Sequence, residues 1–442
     1  MMADQIQVGE VIDRSRMGAQ QWWVMLFCTL VVVLDGFDVQ AIAFTAPQIG
    51  AELGIATHKF GTLFSAGLIG MAIGALLIGP VGDRLGRKLA IIGSLFAFGL
   101  FTLATAWASS YEQLLVLRLL TGLGLGGALP NATALMSEYA NRAWRNVAIS
   151  IIFLGIPIGG IVGSLVAGKL MPIWGWQSVY VVGGVLPLIT AVLLIWMMPE
   201  SIRYLATRRG RNEQIAKTLN RINPAGDYRA EQTFEVEQAS TDSGPIGQLF
   251  APGYGRDTLL LWAAFFTNLI VVYFLISWTP TLFSTLSDEP GQGVKGALIL
   301  NLGGAVGPLL LAWLTSRYGS KRMLPIVFVL GAIVIIGIGQ VGDSINLVTV
   351  GIFLAGFLTF GAQIGMNALA ASIYPTASRA TGVGWALGIG RWGSILGPVI
   401  GGILLARNLG MPVYFTFFGS ILLLSALAIG LLDRHQQSME RS

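Results

Sequence analysis

The chain reads as long apolar runs separated by short polar loops. A helix needs about 20 apolar residues to cross the hydrocarbon core of a bilayer. Twelve runs reach that length: 22–46, 60–80, 89–108, 112–135, 147–168, 178–198, 258–284, 295–315, 323–342, 346–371, 381–405 and 412–432. One longer polar stretch, 199–257, separates the sixth run from the seventh. The pattern predicts an all-α integral membrane protein. Its expected parts are a cytoplasmic N-terminal segment (1–21), a six-helix bundle (22–198), a cytoplasmic central loop (199–257), a second six-helix bundle (258–432) and a cytoplasmic tail (433–442). Within the central loop, 208–221 reads as a basic, helix-like patch, and 229–247 as acidic, poor in aromatics and mobile.

Composition agrees. Of 442 residues, 54% are hydrophobic and 11% charged, against about 25% charged in soluble proteins. No soluble fold covers that much apolar surface. The first twenty residues are mixed polar and charged and read as no cleavable signal. Cys28 stands alone, so no intramolecular disulfide framework is expected.

Charge sets the orientation. Of 27 Lys and Arg residues, Arg118 and Arg391 fall inside apolar runs, and Lys59, Lys169, Lys295 and Arg407 fall in loops of one side. The remaining 21 lie in the termini and loops of the other side, eight of them in the central loop. The positive-inside bias makes that side cytoplasmic. Basic residues spread by loop rather than gathered on one face give no reason to expect nucleic acid.

The two halves resemble each other. "GALLIGPVGDRLGRK" (74–88) aligns with "GPLLLAWLTSRYGSK" (307–321) at an offset of 233, so Gly74, Arg84, Gly86 and Lys88 recur as Gly307, Arg317, Gly319 and Lys321. At an offset of 238, Gly159, Gly163 and Lys169 recur as Gly397, Gly401 and Arg407. Repeated six-helix halves suit a transporter whose halves rock about a site.

Ionisable residues inside the runs are the candidate chemistry. "LDGFDVQ" (34–40) puts Asp35 and Asp38 in the first run. Each ionisable group at mid-membrane costs about 2.5–3.5 kcal/mol on insertion scales, so it faces a cavity or a partner. At 1.5 Å per residue, Asp38 lies about 12 Å and Arg118 about 9 Å from the same side. The matching depths make an Asp38–Arg118 pair feasible, with Asp35 on the same helix face. Burial favours the neutral acid and a guanidinium favours the carboxylate. An acid held between the two can load and release a proton, so Asp35 or Asp38 is expected to carry it, with Arg118 as counter-charge. A fixed ion pair that only positions helices is the alternative. Arg391 lies about 15 Å deep in the eleventh run, which holds no acid between Thr381 and Ala406. Its fork matches a carboxylate, so it is expected to serve substrate or coupling.

"GPVGDRLGRK" resembles the signature loop of the major facilitator superfamily. "RLLTGLGLGGALPNA" (118–132), "PESIRYL" (199–205), "LDGFD" and "TGVGWALGIGRWGSILGP" (381–398) narrow the resemblance to the aromatic acid:proton symporter family, over nearly the whole chain. The resemblance implies the major facilitator fold with a central cavity. It also implies proton-coupled uptake of benzoate-like or hydroxybenzoate-like anions by alternating access. First and fourth helices would line the cavity. Tyr273, Trp278 and Trp392 are candidate walls for an aromatic ring, and Asn268, Gln363 and Asn367 candidate partners for a ring hydroxyl. Ordinary packing and helix bridging are the alternatives for all six.

The loop reads as a gate. The resemblance sets Asp83 near the eleventh helix in the outward-open state; Ser316 stands at the repeat position, so that lock is one-sided. Arg84, Arg87, Lys88, Glu138, Arg142 and Arg145 are expected in the same cytoplasmic network.

Gly122, Gly124 and Gly127 spell G-x-G-x-x-G, but inside an apolar run rather than after a strand, so close helix packing is expected of them and of Gly155, Gly159 and Gly163. No phosphate-binding loop, clustered metal ligands or catalytic constellation is present in the sequence, so no cofactor, metal or enzyme activity is expected. The expected partners are a small organic anion, protons and the bilayer, with the monomer as working unit. Symport of another organic acid or a sugar, or drug/proton antiport, is the alternative; a sugar offers Arg391 no charge.

Overall fold

The computed structural model describes residues 5–208, 210–235, 246–286, 289, 291–342 and 344–432, with the backbone alone at 5 and 376–377. The expected tail 433–442 and most of the acidic segment 229–247 lie outside the described residues.

The twelve expected spans form twelve helices: α1 (Ala19–Leu53), α2 (Phe60–Leu85), α3 (Arg87–Thr105), α4 (Tyr111–Tyr139), α5 (Arg145–Trp174), α6 (Gln177–Met197), α7 (Gly255–Ser284), α8 (Gln292–Tyr318), α9 (Ser320–Gln340), α10 (Ile345–Ile373), α11 (Thr376–Ala406) and α12 (Met411–Gly430). Each is long and apolar enough to span a bilayer. Several overrun the apolar runs that predicted them, because polar end residues still continue the helical hydrogen bonds.

The repeat is visible in three dimensions. Gly86, between α2 and α3, has φ +106°, and Gly319, between α8 and α9, has φ +85°. A left-handed residue is needed for each tight reversal, and only glycine takes it freely. In the first half a Cβ on Gly70 or Gly74 would stand 2.2 Å from the carbonyl oxygen of Leu119 or Leu123 on α4. In the second half Gly303 and Gly307 meet Phe353 and Phe357 of α10 in the same way. The second echo matches too: Gly159 abuts Val33 of α1 as Gly397 abuts Ile270 of α7.

Two compact units are present: Met1–Val39, Ile69–Gly159 and Gln177–Ala239 in one; Gln40–Leu68, Gly160–Trp176 and Ser240–Ser442 in the other. Their boundaries cut through α1, α2 and α5, and one more falls within the central loop.

The first unit carries structure that apolar runs could not announce. A short helix, Val8–Arg14, packs on the helix Asn212–Ile222. Ile12 on one and Ile215, Leu219 and Ile222 on the other are buried. Gln5–Gln7 (β1) and Thr233–Glu235 (β2) pair in parallel. A cleft of about 620 Å³ lies beside them, lined by Glu10, Arg14, Asn223 and Tyr228 among others.

In the second unit the far end of α1 meets α8. Gln40 and Asn301 exchange two side-chain hydrogen bonds, at 2.7 and 3.2 Å. Gly160 of α5 is what leaves room for them: a Cβ there would stand 2.4 Å from both amides. Ser65 of α2 donates to the Ile395 carbonyl of α11 at 2.6 Å.

Candidate functional site

The pair expected from depth is made. Arg118 Nη1 lies 3.2 Å from Asp38 Oδ2, with the side chains 3% and 1% exposed. Side chains of α3 and α6 cover the pair. Thr102 of α3 donates to Asp38 Oδ1 at 2.5 Å. Thr105, one turn on, accepts from Arg118 Nη2 at 3.2 Å and gives its own proton to the Phe101 carbonyl. Thr121 of α4 accepts from Nη2 at 3.4 Å. The Tyr180 ring of α6 lies 5.2 Å from the guanidinium carbon, within cation–π range. Arg118 Nε has no hydrogen-bond partner among the described residues. Asp35, on the same helix, is buried too.

Glycines let these helices close. A Cβ on Gly36, between the two acids, would stand 2.4 Å from the Ile156 carbonyl oxygen of α5. The glycines of G-x-G-x-x-G serve packing: Gly124 meets Phe98 of α3, and Gly127 meets Ile78 of α2 and Ser94 of α3.

In the second unit Arg391 sits half-buried in the middle of α11, and among the described residues its guanidinium has no ion-pair or hydrogen-bond partner. Asn268 of α7 donates to Gln363 of α10 at 2.8 Å, and Gln363 lies 3.5 Å from Asn367. The trio is therefore one polar cluster, and Asn268 Oδ1 in it is buried with no partner. The three aromatic candidates separate. Trp392 is 62% exposed and Trp278 fully buried, while Tyr273 is half-buried. Trp278 gives its indole N–H to the Pro398 carbonyl and makes a T-shaped contact with Phe64, so it is enclosed in helix packing.

Of the residues expected at the gate, Asp83 and Glu138 meet Arg87, at 2.8 Å and 3.0 Å. Asp83 keeps 65% of its side chain exposed. Glu138 also accepts from Ser201. Arg145 reaches Asp13 at 2.9 Å and the Ser137 carbonyl at 3.1 Å. Lys88 Nζ donates to the Ile195 carbonyl. Arg84 contributes its carbonyl, which accepts from Arg208, and Arg142 stands exposed in the α4–α5 turn.

Sequence reasoning missed several partners. Glu200 Oε1 accepts from the backbone N–H of Lys88 at 3.1 Å and of Ser201 at 2.8 Å, so a carboxylate sits at the N-terminus of α3, where the helix dipole favours it. Burial pushes the Glu200 carboxyl above its ordinary value, against those backbone amides. Its signal is the glutamate of "PESIRYL". Asp13, Thr102, Thr105 and Tyr180 carried no local signal.

A family model described as Major Facilitator Superfamily matches residues 28–344 and 296–441. The chain belongs to the major facilitator superfamily. It is a multi-pass membrane transporter, not an enzyme. Among its relatives are a "Gallate transporter" of Pseudomonas putida, 41% identical over 96% of this chain and 94% of that one, and a "4-hydroxybenzoate transporter PcaK" of Pseudomonas aeruginosa, 39% identical over 91% and 90%. A solved "D-xylose-proton symporter" superposes with a TM-score of 0.74 at 17% identity, covering 94% of this chain and 98% of that one. At that identity the likeness speaks for the fold. The facilitator signature loop "GPVGDRLGRK" is thus the α2–α3 reversal, pinned by Gly86 and Glu200.

Proposed function

We propose that this facilitator takes up an aromatic carboxylate of the benzoate or hydroxybenzoate class together with protons, by alternating access. It would work as a monomer in a bacterial inner membrane with both termini cytoplasmic. The two six-helix repeats, 22–198 and 258–432, would be its moving halves.

One observation carries the proton coupling: the sealed Asp38–Arg118 pair. A buried ion pair is weak evidence for stability, because apolar residues of similar volume often serve as well. Ionisable groups kept inside a span point to ion or proton pathways. Asp38, or Asp35 beside it, is the proposed proton carrier, and Arg118 the counter-charge. Arg391, central in α11 with its fork uncommitted, is the proposed ligand of the substrate carboxylate. Asn268, Gln363 and Asn367 would bond a ring hydroxyl, and Tyr273 and Trp392 would flank the ring. Asp83, Arg84, Arg87, Lys88, Glu138, Arg142 and Arg145 are the proposed cytoplasmic gate. The gallate and 4-hydroxybenzoate specificities of the two relatives support the substrate class, and the basic-loop bias supports the orientation.

Proteoliposomes test the reading. Labelled 4-hydroxybenzoate should accumulate under an inward proton gradient and stop accumulating with a protonophore, while exchange against internal substrate persists. Accumulation that ignores the protonophore rejects symport. Transport of xylose in preference to the acid rejects the substrate class.

A further inference from the structure

The pair and its α3 neighbours lie within one compact unit, and their arrangement is asymmetric. Asp38 uses one carboxylate oxygen on Arg118 and the other on Thr102. Arg118 is held apart from Asp38 as well, by Thr105, Thr121 and the Tyr180 ring. Thr105 has given its proton to Phe101, so towards Arg118 it can only accept. Thr105 thus holds the guanidinium whatever the charge of Asp38. Thr102 differs. Its hydroxyl donates to the carboxylate, and a hydroxyl can turn and accept from a carboxylic acid.

We propose that Thr102 is a positioning residue for proton coupling, holding Asp38 in both charge states and setting the pH at which it loads. This rests on the reading of Asp38 as the carrier. The step is simple: a proton from water joins Asp38, the ion pair with Arg118 becomes neutral acid beside cation, and the Thr102 hydroxyl reverses. The charged and titratable groups around Asp38 are Asp35 on its own helix, Arg118 on α4 and Tyr180 on α6. Thr102 is the contribution of α3. The bond Thr102 donates to the carboxylate is charge-assisted and stronger than the one it accepts from the neutral acid, so Thr102 favours the charged form and removing it lets Asp38 keep its proton to higher pH.

The test is the pH profile of proton-driven 4-hydroxybenzoate uptake in proteoliposomes of full-length protein. Thr102→Val, which replaces the hydroxyl with a methyl, should move the alkaline limb upward by about one pH unit, a tenfold change in proton affinity. Thr102→Ser should keep the wild-type midpoint. Thr102→Cys, whose thiol donates weakly, should fall between, and it decides the matter if the valine variant does not fold. A common midpoint for all folded variants overturns the inference. Asp38→Asn separates the two failures. If it still couples uptake to protons, the carrier reading falls. If it uncouples while the Thr102 series stays at the wild-type midpoint, only the role of Thr102 falls.

Discussion

Asp38 and Arg118 illustrate what a buried charge demands. Each satisfies the other, so removing one leaves an uncompensated charge, which costs about 3–5 kcal/mol. Arg118→Met should therefore lower stability by about 3 kcal/mol, and Asp38→Asn in the same chain should restore much of it. Thermal unfolding in detergent across the four-member mutant cycle checks this. Arg391→Lys keeps charge and loses the fork, so the affinity for 4-hydroxybenzoate should fall about tenfold, measured by competition against labelled substrate. Glu200 adds a pH effect. Its folded carboxyl lies above the ordinary 4.5 because it is buried. Just above that pH the folded protein holds a proton that the unfolded chain has released, so stability falls as pH rises through the interval. Glu200→Gln keeps an oxygen for the Lys88 amide and removes the titration, so its melting temperature should lose that downward slope.

Between helices, glycine decides the spacing. Gly36 faces the Ile156 carbonyl at 2.4 Å from where a Cβ would stand, Gly70 faces Leu119 and Gly307 faces Phe357. Small residues of this kind let helix backbones approach closely in a bilayer. Alanine at Gly36 should force α1 and α5 apart at about 1–3 kcal/mol, as overpacking does. Gly93→Ala in α3, where no atom lies within 4 Å, should leave the melting temperature unchanged or raise it. Equal losses at both positions would mean that backbone approach is not what these glycines provide. Gly160→Ala is a different case, because its Cβ would meet the polar Gln40–Asn301 exchange rather than a helix backbone.

For the whole molecule, the proposed orientation rests on the charge of the loops and can be tested with one reagent. Cys28 is fully buried, so the native chain should resist a membrane-impermeant maleimide. His58→Cys, in the α1–α2 connection, should label in intact cells. Ala143→Cys, in the α4–α5 turn, should label only after permeabilisation. The opposite pattern would invert the topology.

By itself the sequence determined the twelve spans and the family, because the length of an apolar run is a one-dimensional property that the bilayer reads directly. It also placed Asp38 level with Arg118, since depth along a helix is a count of residues. Only the tertiary structure decided what surrounds them. Thr102, Thr105 and Tyr180 come from α3 and α6, and their place around the pair depends on how helices rotate and pack, which no local pattern records. For the same reason Trp278 went to packing, Glu200 came to cap α3, and Val8–Arg14 found Asn212–Ile222 across some two hundred residues of chain.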